Sequence, residues 1–166
     1  HNGLTHIYYQ QSYKGIPVYN AITSVHITKD GKVFDSPHRF VASLASKVNT
    51  TKARINPIQA MEKMILHYDV KNAILPSEIS RSANDKKIYA KTNFTHSDIP
   101  CKLVYMLDQH GKLRLAWDIS MDLTDRSDHW STRVDAVTGE ILNENNFTVS
   151  CQFGHRHVGR CTDEIH

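Results

Sequence analysis

Three cysteines, Cys101, Cys151 and Cys161, are all that the 166 residues contain, and an odd set leaves one thiol over whatever disulfide forms. That count alone fixes no redox compartment. Long apolar runs are missing too. The longest strictly apolar stretch, Leu103 to Leu107, falls far short of the roughly 20 residues a membrane span needs, so no segment is expected to cross a bilayer. There is no dense basic block: 20 Lys and Arg are spread against 17 Asp and Glu, with no stripe that would track a phosphate backbone, and nucleic acid is not expected as a partner. Glycine-rich phosphate loops and low-complexity tracts are also absent. Neither an initiator Met nor a signal peptide precedes the first strand-like residues, so the chain reads as an excised or processed fragment.

Catalytic patterns are equally scarce. Eleven histidines are many for this length, yet no HExxH places two imidazoles and a glutamate on one helical face. Only Cys151, His155, His157, Cys161 and His166 concentrate metal-ligand types. They match no standard finger or ribbon spacing, and a solvated tail is the alternative to a zinc site. No GxSxG elbow occurs, and Cys101 sits in strand-like sequence without an evident base, which suits a small core residue. Asp122 and Asp125 lie near a loop between strands and read as a solvated turn rather than an acid/base couple. The chain is therefore expected to hold no catalytic and no metal-binding residue, and not to be an enzyme. Asn-x-Thr sequons at Asn49, Asn93 and Asn146 permit a secretory location.

What is present is a globular composition, 40% apolar and 22% charged. The first forty residues alternate apolar and polar through Ile7, Tyr9, Tyr13, Ile16, Val18, Val25 and Ile27. Lys14-Gly15 separates the first two runs, and Asp30-Gly31 signals a hairpin with a tight primed turn, predicting a three-stranded meander. Ala42 to Lys52 is rich in Ser, Thr, Asn and Lys and reads as a linker. Asn56-Pro57 with Gln59 forms a capping signature. Behind it Ile58, Met61, Met64, Ile65 and Tyr68 make a helical stripe ending near Tyr68 or Asp69.

Beyond the helix, Leu113, Leu115, Trp117, Ile119 and Met121 keep a period of two. Cys101 to Leu107 is expected to pair with that strand across Gln109-His110-Gly111. Trp130 to Asp135 should pair with Glu140 to Asn145 around Val137-Thr138-Gly139. These elements predict an α+β fold: one helix across an antiparallel sheet, preceded by the meander.

The residues also carry a resemblance. Gly3-Leu4-Thr5-His6-Ile7-Tyr8-Tyr9-Gln10-Gln11, followed by Gly15-Ile16-Pro17-Val18-Tyr19, resembles the fungalysin/thermolysin propeptide (FTP) motif. Leu115-Ala116-Trp117 and the run Trp130 to Leu142 are similar to the closing strands of a PepSY-type domain. The tract Asn145 to Cys151 is similar to the end of fungalysin-type prosegments. The motif residues are Gly3, Thr5, His6, Tyr9, Gln10, Gln11, Gly15 and Pro17, then Trp117, Trp130, Val134, Asp135, Thr138 and Gly139.

The resemblance implies an FTP unit at 1–48, a PepSY-like (cystatin-like) unit at 53–150, and a linker or tail at 151–166. It implies a monomeric, secreted prosegment that chaperones and inhibits its own zinc metalloprotease domain, with the zinc in that protease and no cofactor in this chain. The chain starts directly at the motif, so upstream propeptide elements are expected to be missing. Asn143, Asn145, Asn146, Phe147 and Val149 are the expected protease-contacting tail, against an ordinary strand plus linker. A stand-alone secreted peptidase inhibitor or PepSY-type binding module is the other reading.

Overall fold

Two adjacent residues with positive φ, Lys14 at 48° and Gly15 at 80°, close the first hairpin. They join β1 (Thr5–Tyr13) to β2 (Ile16–Ile27) in the primed geometry that matches strand twist. The computed structural model describes residues 3–35, 39–82 and 86–148. The second turn departs from the expectation. At Asp30-Gly31 only Gly31 has positive φ, 83°, and the Gly31 N–H bonds to the Thr28 carbonyl while Thr28 N–H bonds to Lys32. This is a three-residue turn with a glycine bulge, in which Asp30 stays in ordinary backbone space. It leads to β3 (Val33–Asp35), and β3 lies against β2 to complete the meander.

The expected linker carries a one-turn helix, α1 (Leu44–Lys47), and is tied down beyond it. Val48 bridges Leu113, the Asn49 amide donates to the Leu113 carbonyl, and the Tyr105 hydroxyl donates to Thr50 O. Helix α2 (Pro57–His67) starts as its sequence dictates. The Asn56 side chain accepts from Gln59 N–H, the Gln59 side chain accepts from Asn56 N–H, and Pro57 occupies the first turn. Pro57, Ala60, Met61 and Met64 are buried on one face, with Ile58 and Ile65 half-buried beside them. The helix stops at Tyr68, where Asp69 turns to a φ of 54°.

The remaining strands are β4 (Glu78–Arg81), β5 (Lys87–Tyr89), β6 (Ile99–Leu107), β7 (Leu113–Asp122), β8 (His129–Asp135) and β9 (Ile141–Asn146). The β6–β7 and β8–β9 hairpins pair as the sequence predicts. The short β4 and β5 are additional to the expected strands, and β5 pairs with the start of β6. The nine strands of the described residues form one sheet with the main order β1-β2-β6-β7-β8-β9.

One contact corrects the antiparallel expectation: β2 runs parallel to β6 through Val18 and Tyr105, so the sheet is mixed. Leu113, Leu115, Trp117, Ile119 and Met121 point to the same side of β7, are all buried, and share one core with α2 and with Val18 and Ala21 of the meander. Trp117 is fixed there by its indole N–H, which donates to Ile55 O at 2.9 Å.

Candidate functional site

Alternation along β7 sends Arg114, Ala116, Asp118, Ser120 and Asp122 to the side opposite the helix. The register sets Asp118 across from Arg133 and Ser120 across from Ser131 on β8, and Lys102 across from Asp118 on β6. A solvated face would be expected from that composition. Instead Arg133 is fully buried, because the start of β2 covers it: the Tyr19 ring lies 4.2 Å from the guanidinium carbon.

The Arg133 guanidinium donates to Ser131 Oγ at 2.7 Å, to Asp118 Oδ1 at 3.4 Å and to Asn143 Oδ1. With its amide oxygen turned toward them, Asn145 accepts from both the Tyr19 hydroxyl and Arg133 at 3.0 Å. Arg133 Nε has no partner among the described residues. Beside this cluster a cleft of about 440 Å³ opens between the start of β2 and strands β6, β7 and β8, with Pro17, Tyr19, Lys102, Asp118, Ser131 and Phe147 in its wall. Burial holds the Asp118 carboxyl above the usual range, against the pull of the Arg133 guanidinium.

A second polar cluster lies at the C-terminal end of α2. The Tyr68 hydroxyl sits 2.6 Å from Thr132 Oγ1 and donates to Glu144 at 2.8 Å, and His67 Nε2 meets the same Glu144 oxygen at 2.8 Å. Tyr68 also stacks on Trp130 with 4.7 Å between ring centres. Burial pushes the Tyr68 phenol well up, so it remains a neutral donor.

Neither cluster pairs a nucleophile with a base. The Cys101 thiol is buried in the core and pushed up by desolvation, the opposite of an activated thiolate. Asp125 is gripped by Arg126 at 2.7 Å, which holds its carboxyl low. Among the described residues no group of three or more His, Cys, Asp or Glu is placed to hold a metal, and no helix is long and apolar enough to cross a membrane. The arrangement is suited to binding and positioning.

The residues of the N-terminal motif have structural duties. Gln10 Nε2 donates to Val18 O at 2.8 Å and Ala21 O at 3.1 Å, bridging the bulge in β2 where Asn20 takes a φ of 63°. Gln11 clamps Val41 from both sides of its amide, accepting from Val41 N–H and donating to Val41 O at 2.8 Å each. His6 meets His26 edge-on at 4.5 Å, Gly15 closes the hairpin, Pro17 enters the cleft wall, and Tyr9 is exposed. Gly3 has a φ of 70°, and Thr5 opens β1.

In the C-terminal motif, Asp135 Oδ1 accepts from the Val137 and Thr138 amides at 2.7 and 2.8 Å. Arg114 lies 2.7 Å from its other oxygen. Gly139 has a φ of 79°, and a Cβ there would meet Lys63 at 2.9 Å. Val134 and Trp117 are core residues. Asn143, Asn145 and Asn146 belong to β9, where Asn146 donates to Asp128 at 2.9 Å and Phe147 packs edge-on against His129. Val149 and the group from Cys151 to His166 lie outside the described residues.

Sequence reasoning missed Tyr19, Asp118, Arg133, His67 and Glu144. No local signal marked the first cluster: in the β8 sequence His-Trp-Ser-Thr-Arg-Val-Asp, Arg133 alternates with Thr132 and Val134 as a solvated outward residue would.

Comparison with known proteins bears on the meander first. Residues 1–35 match the family described as the Fungalysin/Thermolysin Propeptide Motif. The chain carries that propeptide motif. Its homology extends further: it is 31% identical over 146 residues to "Extracellular metalloproteinase mep" of Aspergillus fumigatus, covering 86% of this chain and 23% of that protein. Against "Extracellular metalloproteinase 10" of Coccidioides posadasii the identity is 30% over 126 residues, 74% of this chain and 20% of the relative. The chain with the propeptide motif thus spans about a fifth of the length of the curated relatives it matches. Among solved structures, the Bacillus megaterium YpeB C-terminal domain aligns with a TM-score of 0.41 at 12% identity, covering 88% of this chain and 52% of that one.

Proposed function

We propose that this chain is the propeptide region of a secreted zinc metalloendopeptidase, acting as an intramolecular folding chaperone and as an inhibitor until proteolysis removes it. The observation that carries the reading is the propeptide motif at residues 1–35, continuous with homology to extracellular metalloproteinases. The zinc belongs to the protease portion, and the partner is that portion of the same precursor. In this reading residues 1–48 form the FTP unit and 53–150 a PepSY-like, cystatin-like unit that is monomeric when separated from its protease.

The geometry supports a role played by surface rather than chemistry. Strand β9 ends the main strand order, and among the described residues no strand pairs with its outer edge, where main-chain pairing with an extended segment or cleft would take place. Asn143 and Asn145 are held in the Arg133 cluster, so in this reading the contact at this edge falls to backbone groups and to residues that follow. On the meander, Tyr8 is 71% and Phe34 56% exposed, an apolar surface of the kind partners cover. Such a preformed surface lowers the entropy cost of assembling a protease with non-local contacts.

The test is expression of the precursor with residues 1–148 deleted. Active protease should be lost, and co-expression of this chain in trans should restore it. Undiminished activity from the deleted precursor would refute the chaperone role. A stand-alone secreted inhibitor or binding module is the second reading, and it predicts a reading frame that encodes no HExxH protease after His166.

A further inference from the structure

The three sequons differ in what the fold asks of their asparagines. N-glycosylation replaces one hydrogen on Nδ2 by a bulky sugar and leaves Oδ1 free to accept. An asparagine that serves the fold through Oδ1 alone tolerates the change, whereas one whose Nδ2 is a required donor loses or distorts a bond.

Asn49 is of the first kind. Its Oδ1 accepts from Leu115 N–H at 3.0 Å and Thr50 N–H at 2.8 Å, its Nδ2 donates to none of the described residues, and both Asn49 and Thr51 are exposed. Asn93 is held at both ends, accepting from Ile74 N–H at 2.9 Å and donating from Nδ2 to Asn72 O at 2.6 Å. Its sequon partners Phe94 and Thr95 are buried. Asn146 lies in β9, and its Nδ2 donates to Asp128 at 2.9 Å while its Oδ1 accepts from Thr148 N–H at 3.2 Å.

We propose that Asn49 is an N-glycosylation site of this protein, and that Asn93 and Asn146 are unmodified in the folded form. The reaction forms a bond from Asn49 Nδ2 to the anomeric carbon of a lipid-diphosphate-linked oligosaccharide, under a membrane oligosaccharyltransferase. The anomeric C–O bond breaks, the lipid diphosphate leaves with its electron pair, and the Nδ2 proton passes to a base of the transferase. The inference rests on the secretory reading above, so its test forces entry into the pathway and leaves protease function aside.

The chain is secreted from a yeast host behind a cleavable signal, and its intact mass is compared before and after peptide-N-glycosidase treatment in heavy-oxygen water, which tags the released site. The expected result is a glycan at Asn49, wholly lost in Thr51→Ala, a variant that keeps the Asn49–Leu115 bond. Asn49→Gln should lose it as well. An unmodified Asn49 in the folded secreted chain, a glycan retained by Thr51→Ala, or a glycan on Asn93 or Asn146 of the folded chain overturns the proposal.

Discussion

Replacing Arg133 by Met tests whether the outer face of the sheet is held by charge or merely covered. Arg133 is fully buried and the Asp118 side chain is only 17% exposed, so the variant strands a desolvated carboxylate and removes the donor of Ser131 and Asn143. Breaking a buried pair from one side costs about 3–5 kcal/mol, a large share of the ~5–15 kcal/mol that stabilises a domain. Lys102, opposite Asp118, offsets a part of this.

The pH dependence has a definite sign. The folded pKa of Asp118 is already raised, so folding favours its protonated form, and that contribution is present at low pH and lost as pH rises through the folded value. Without Arg133 the folded value climbs further, and the deficit of the variant should be small near pH 5 and full near pH 8. Urea unfolding at both pH values measures it, and Asp118→Asn in the same background should recover most of the loss. A cost under about 1 kcal/mol at pH 8, or no recovery in the double variant, would refute the reasoning.

Other substitutions probe local devices. Asn56→Ala removes the capping box of α2 and should cost about 1 kcal/mol in thermal or chemical unfolding. Gly139→Ala puts a Cβ on a residue at φ 79° and 2.9 Å from the Lys63 side chain; a loss of about 1–2 kcal/mol is expected, from the backbone conformation, since the lysine can move aside. Gln11→Ala unties Val41, and faster amide exchange at Val41 without a comparable change in α2 is the expected outcome. Cys101 should resist a thiol reagent at neutral pH in the folded chain and react at once in urea, because burial raises its thiol.

The elements legible in the sequence are those written locally. Asn56, Pro57 and Gln59 specify a helix start within four residues, and Lys14-Gly15 and Gln109-His110-Gly111 specify hairpins between strands adjacent in sequence. The parallel contact of Val18 with Tyr105 joins strands 87 positions apart, and no local pattern encodes it. The Arg133 cluster was hidden for a related reason. On β7 the alternation marks Asp118 and Ser120 as outward, and outward normally means solvated; only the return of β2 over that face, with Tyr19 against Arg133, turns it into an interior. Asp30-Gly31 misled at the level of turn type, since one glycine bulge satisfies a hairpin as well as a primed pair does.

The measurement that bears most directly on the central claim is titration of a purified fungalysin-type protease, the one that the proposed reading places in the same precursor, with this isolated chain. The account predicts saturable inhibition that fades as the chain is digested. Full protease activity at saturating concentrations of the folded chain would contradict it.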